Sequence, residues 1–190
     1  MKNLFLALFL GLAVPALSPA QGALEYQVDP VHSFFFFKVG HFGVGNVYGR
    51  FDAVSGTLAY DAATPANDSL QIEVQTGSVD TNSAARDTHL KSPDFFNAQQ
   101  FPTATFKSTS VKATGEKTFD VAGDFTLSGV TKPIVVPVTL IGLGKGPKGE
   151  PRIGAEAKFT INRSDFGIKT FLPAVSDAVE LTVAIEGVQK

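Results

Sequence analysis

Apolar and polar residues alternate with a period of two along most of this chain, and that period commits it to β-strands. A strand turns successive side chains to opposite faces, so Val179, Leu181, Val183 and Ile185 point one way while Glu180, Thr182, Ala184 and Glu186 point the other. Ala155, Ala157, Phe159 and Ile161 repeat the pattern, as do the segments Phe119 to Leu127 and Leu70 to Gln75. Ile134, Val136, Val138 and Leu140 continue it beside Pro133 and Pro137. Two prolines there predict an edge strand or strand ends, because proline cannot donate to a ladder. Turn-rich stretches at Asp61 to Asp68, Thr114 to Glu116, Ser128 to Thr131 and Gly142 to Pro151 separate the runs. The pattern gives about eight strands, at the spacing of a barrel or sandwich. Closing an antiparallel sheet on itself removes its edges.

Asn82 to Asn97 lacks the alternation, and its helix formers followed by Pro93 predict a short helix over Ser83 to Lys91, capped near Asn82 or Ser83. Phe34, Phe35, Phe36 and Phe37 form an unbroken aromatic run between His32 and His41, which places rings on both faces of one strand. Such a run fits either a strand buried on both sides or the wall of an apolar ligand cavity. The inward set mixes large rings (Phe35, Phe37, Phe51, Phe125, Phe159) with small Gly123, Ala155 and Ala157, which leave room inside. A barrel of about eight strands has an interior either filled by side chains or open to one small ligand.

Met1 to Ala20 reads as a secretory signal peptide: a positive start at Lys2, an apolar stretch from Leu4 to Val14, and small Ser18 and Ala20 at the cleavage positions. That stretch is far short of the roughly 20 residues that span a bilayer. The mature chain, Gln21 to Lys190, is expected to be one domain exported to the periplasm. The chain has no cysteine, which excludes disulfides, thiolate catalysis and thiolate metal sites. Without Lys2 the balance is 15 basic against 18 acidic residues, 15 − 18 = −3, which argues against nucleic acid as a partner.

Candidate chemistry is sparse. Of the three histidines, His32 and His41 stand at opposite ends of one strand, about 30 Å apart at ~3.3 Å per residue, so no metal site is expected. Arg86, Asp87 and His89 share one helical turn, but no serine sits in a nucleophile elbow, and a network docking the helix to the barrel is the favoured role. No catalytic residue and no cofactor are expected. Gly40, Gly43, Gly45 and Gly49 do not open a helix as a phosphate loop must; they read as a hairpin connection whose mobility, with the helix from Asn82 to Lys91, would gate a cavity.

The chain resembles the YceI-like family of periplasmic polyisoprenoid-binding proteins. The resemblance is carried by His32-Ser33, Phe37-x-Val39-x-His41, Gly49-x-Phe51, Ser78 to Asn82, Arg86-Asp87-x-His89-Leu90, Asp94-Phe95-Phe96, Phe101-Pro102-x-Ala104-Thr105-Phe106, Gly123 to Leu127 with Gly129 to Pro133, and Asn162-Arg163-x-Asp165-Phe166. It departs from a common variant in having aromatic residues at all of positions 34 to 37. The resemblance implies an all-β, lipocalin-like antiparallel barrel with a hydrophobic tunnel, one short crossing helix, and a prenyl quinone or polyprenyl lipid as ligand, for carriage, storage or stress response. By face alternation the wall is assigned to Phe35, Phe37, Val39, Phe51, Val74, Phe106, Phe125, Leu127, Val136, Val138, Phe159 and Ile161. Two alternatives stay open: a stress-induced structural or partner-binding protein with a filled core, and an enzyme acting on isoprenoid lipids. Phe34 and Phe36, on the outer face, need a cover, which is the helix, a second copy in a homodimer, or a transient membrane contact.

Overall fold

The computed structural model describes residues 22–190, and the signal peptide read at Met1 to Ala20 lies outside the described residues. Eight long strands form an antiparallel meander, three of them broken by a bend. β1 (Leu24–Val28) runs on into β2 (Phe34–His41), β3 (Gly45–Phe51) into β4 (Val54–Tyr60), and β5 (Ser69–Gln75) into β6 (Val79–Asp80). β7 (Thr103–Ala113), β8 (Thr118–Leu127), β9 (Val130–Lys145), β10 (Pro151–Asn162) and β11 (Val175–Gln189) complete the set. β11 closes the ring, pairing Leu181 with Phe37 on β2 and Val188 with Gln27 on β1. The result is a closed antiparallel barrel with one short helix, α1 (Ala84–Leu90).

The period-two faces are realised as read. Leu181, Val183 and Ile185 are buried, as are Phe119, Val121, Phe125 and Leu127 on β8. Glycines on these strands answer to rings. A Cβ on Gly49 would collide with the ring of Phe37, and one on Gly123 would meet the Phe106 ring and the Lys107 carbonyl oxygen. Gly123 therefore seats Phe106 rather than leaving open space, which corrects the expectation that it widens the bore.

Pro133 and Pro137 lie inside the 16-residue β9, which stands between β8 and β10 rather than at an edge. The reason is local. Pro133 pairs with Asp124 and Pro137 with Asp120 on β8, while the ladder to β10 runs only from Lys145 to Val138. Above Val138, β9 has no β10 partner, so the missing N–H groups cost no ladder bond.

Phe34 and Phe36 stack on each other on the outer face, centroids 5.8 Å apart, and remain 43% and 41% exposed. The helix is not their cover, since it packs near β6 at the barrel end. Among the described residues no helix is long and apolar enough to cross a membrane.

Candidate ligand cavity

The upper barrel is hollow and the lower barrel is filled. An internal cavity of about 260 Å³ is walled by inward residues of β2, β3, β5 and β7 to β11. Its lining reaches down to the level where Val138, Ala157 and Val183 lie side by side across the ladders. At and below that level Tyr26, Leu58, Phe119, Leu140, Ile153 and Ile185 are buried outside the lining and form a packed floor.

All of the residues assigned to the wall by alternation lie on it: Phe35, Phe37, Val39, Phe51, Val74, Phe106, Phe125, Leu127, Val136, Val138, Phe159 and Ile161. Alternation missed the lid. Leu90 on α1, Phe95 and Phe96 after it, Phe171 before β11 and Val175 at its first position also line the cavity. They come from stretches with no period, where only the concentration of aromatic residues gave a signal. Phe96 packs against Phe51 at 5.4 Å and so ties the lid to the barrel wall.

Arg163, almost wholly buried and on the lining, organises one side of the mouth. Its Nε donates to the Ser176 carbonyl oxygen at 2.9 Å, Nη1 to those of Ile168 and Thr170 at 3.2 and 2.9 Å, and Nη2 to that of Val175 at 2.9 Å. One side chain thus holds the loop from Gly167 to Val175 in shape. Burial pushes the guanidinium below its ordinary pKa, and the Asp177 charge pulls the other way. Arginine stays charged throughout. Asp177 accepts from the Ser164 hydroxyl and amide at 2.7 and 2.8 Å, and these bonds hold its carboxyl below the usual range.

Arg86 and Asp87 spend their bonds on Thr81. Asp87 Oδ1 accepts from the Thr81 amide at 2.9 Å, and Arg86 Nε and Nη2 donate to the Thr81 hydroxyl and carbonyl oxygens at 2.7 and 2.6 Å. The network docks α1 onto the end of β6. His89 faces Asp94 at 2.9 Å and packs edge-on to Phe95. The polar part of the lining (His41, Arg86, His89, Thr105 and Arg163) contains no carboxylate.

The β2–β3 connection is a hairpin with a tight turn, as read from its glycines. Three residues, Phe42 to Val44, join His41 to its partner Gly45; Phe42 and Gly43 both have positive φ, as the centre of a type I′ turn requires, and the Val44 amide donates to the His41 carbonyl. The Phe42 amide donates to Ala174 at 2.6 Å and the Gly40 amide to the Ser176 hydroxyl at 2.9 Å, which fasten the hairpin to the Gly167–Val175 loop and to the start of β11.

Asp29, His32 and Glu186 bring ligand-type atoms within 4.8 Å of one another on the outer wall. Arg152 already supplies the cation: it donates to Asp29 at 3.0 Å, to Glu186 at 2.5 Å and to Glu150 at 2.8 Å. The hydrogen bond from His32, with those from Val31 and Arg152, holds the Asp29 carboxyl down at about 2 against the opposing effect of burial. Bonds to Glu186 and Glu150 raise the Arg152 pKa. This arrangement clamps the β1–β2 bend to β10 and β11.

A YceI-like domain model matches residues 26–187, nearly the whole barrel. The chain belongs to the YceI-like family. Among its YceI-like relatives, the UPF0312 protein of Ectopseudomonas mendocina is 43% identical over the full length of both chains, and that of Pseudomonas aeruginosa strain LESB58 is 42% identical over the same span. The YCEI protein of Campylobacter jejuni superposes with a TM-score of 0.72 at 26% identity, covering 100% of this chain and 99% of that one. BcnA of Burkholderia cenocepacia shares the fold at TM-score 0.77 and 24% identity, over 84% of this chain and 98% of its own. A polyisoprenoid binding domain from Saccharophagus degradans shares it at 0.71 and 20% identity, over 88% and 99%.

Proposed function

We propose that this YceI-like protein holds the apolar chain of an isoprenoid lipid, a prenyl quinone or polyprenyl lipid, in the upper barrel and carries it through the periplasm. The observation that carries the reading is a continuous apolar cavity above a solid floor, with its polar groups gathered toward the lid. A relative of the same fold is described as a polyisoprenoid binding domain. At roughly 10–15 Å³ per water-sized group, about 260 Å³ accommodates on the order of twenty carbons, or about four isoprene units. Burying them is worth nominally ~16 kcal/mol, below the ~18 to 21 at which non-covalent binding saturates. Ordering a flexible chain offsets part of that gain and leaves an affinity from which cargo is released.

Hydrogen-bond donors without a carboxylate among them suit a head group rich in oxygen acceptors at the lid. Arg86 and Asp87 are engaged in docking α1, which supports binding rather than turnover. Organic extraction of the purified mature protein followed by mass spectrometry tests the proposal. A co-purifying prenyl lipid, lost in Phe125→Asp, is expected; an extract empty of lipid, with tagged prenol failing to load into delipidated protein, would refute it.

A further inference from the structure

Among the described residues, five other than glycine have positive φ: Phe42, Asn82, Asn97, Ser128 and Phe171. Asparagine and serine tolerate this region in turns, but a phenylalanine there is an outlier whose strain a structure keeps for a reason. Both phenylalanines stand at the mouth of the cavity and are more than half exposed, Phe42 62% and Phe171 55%, and Val44 beside Phe42 is 88% exposed. The two loops are fastened together by the Phe42 amide bond to Ala174, so the three side chains belong to one rim. Phe171 also lines the cavity and touches His89 and Phe95, so the outer apolar surface runs without a break into the inner one.

The charge pattern agrees. Neither Gly40 to Asn46 nor Gly167 to Val175 contains an aspartate or glutamate; exposed Lys169 lies in the second loop, exposed Lys91 follows α1, and the exposed carboxylate of Asp94, whose carbonyl accepts from Thr170, is paired with His89 at 2.9 Å. We infer that this rim is a membrane-docking surface: Phe42, Val44 and Phe171 insert among the lipids of a bilayer, the flanking lysines meet anionic head groups, and the cavity mouth opens directly onto the acyl layer. A second copy of the chain would also cover apolar rings, but it would seal the mouth that a carrier has to present. The route from bilayer to cavity rests on the lipid-binding reading above; the docking does not.

The test compares the mature protein with a Phe42→Asn, Val44→Ser variant. Asparagine is favoured at that turn position and neither residue lines the cavity, so folding and loading are preserved. Binding is measured by flotation with phosphatidylethanolamine–phosphatidylglycerol vesicles, and loading with a fluorescently tagged prenol delivered either in detergent or in those vesicles. Burial of each side chain is worth about tenfold or more, so the variant should bind vesicles at least about a hundredfold more weakly. It should also take up prenol slowly from vesicles, yet load normally from detergent. Equal flotation of the two proteins, no flotation of either, or a dimer that the variant dissociates without any vesicle binding would overturn the inference. Failure of both proteins to load from detergent, with the difference in flotation intact, would instead refute the lipid-binding reading and leave the docking surface standing.

Discussion

Ala157→Phe separates a hollow barrel from a filled one. Ala157 points inward from β10, is flanked by Val138 and Val183 in the ladders, and sits just above the floor formed by Leu140, Ile153 and Ile185. The new ring adds about six carbon-sized groups, or about 60 to 90 Å³ at roughly 10–15 Å³ each. That is a substantial share of a cavity of about 260 Å³. A bound chain retreats by about one isoprene unit and loses at most ~5 kcal/mol of burial; with about half of this offset by reduced ordering, affinity falls by ~2 kcal/mol, or roughly thirtyfold. The delipidated protein should lose nothing, because the ring occupies empty space. In a filled core the same substitution would cost about 1 to 3 kcal/mol of overpacking, a drop in Tm of about 2 to 12 °C. The assay pairs thermal melting of the delipidated protein with dissociation of a fluorescently tagged prenol. A lowered Tm with unchanged dissociation would refute the hollow barrel.

Three further outcomes follow from the polar framework. Arg163→Met strands four carbonyl oxygens that now share one guanidinium; a loss of at least about 3 kcal/mol is expected, read as a Tm lower by roughly 6 °C or more, and an unchanged Tm would dismiss its structural role. Asp29 has an ordinary pKa of 3.8 and a folded value of about 2, so its contribution to stability is complete above the first and disappears as the pH falls through the second. Asp29→Asn should therefore flatten the acid limb of stability between those values, and a denaturation profile with the same slope in both proteins would contradict the clamp. The ladder between β9 and β10 ends at Val138 and Ala157. Alternate amides from Lys158 to Asn162, those aimed at β9, should exchange with deuterium much faster than the intervening ones bonded to β11, and uniform protection would mean the seam is closed.

Much of this was legible in the sequence because a barrel wall repeats one local rule. Parity along a strand decides which side chain faces inward, and every assigned wall position from Phe35 to Ile161 obeys it. What escaped is non-local. Whether Gly123 opens a bore or seats a ring depends on Phe106, on the neighbouring strand β7. Pro137 fits inside β9 only because β10 diverges at that height. The lid residues Phe95, Phe96 and Phe171 belong to loops whose paths are set by Arg163 and Thr81 rather than by any period. The type I′ turn at Phe42 and Gly43 was hidden because phenylalanine is a poor occupant of its first position.

A hollow barrel end gives up the contacts that usually fix a lid, since side chains facing a void have partners on one side only. The mouth of this protein is held in another way. Arg163 gathers the carbonyls of the Gly167–Val175 loop, Asp87 and Arg86 grip Thr81, and Asp177 holds Ser164. These bonds are directional, and their partners all belong to the protein, so they persist whether or not the cavity is occupied. Apolar packing, with Tyr26, Leu58, Phe119, Leu140, Ile153 and Ile185, is concentrated in the lower half, where no ligand competes for it. Stability and binding would therefore draw on different parts of the barrel: a ligand leaving the upper half would remove no contact on which the lower half depends, and the empty barrel would keep its fold and the shape of its mouth.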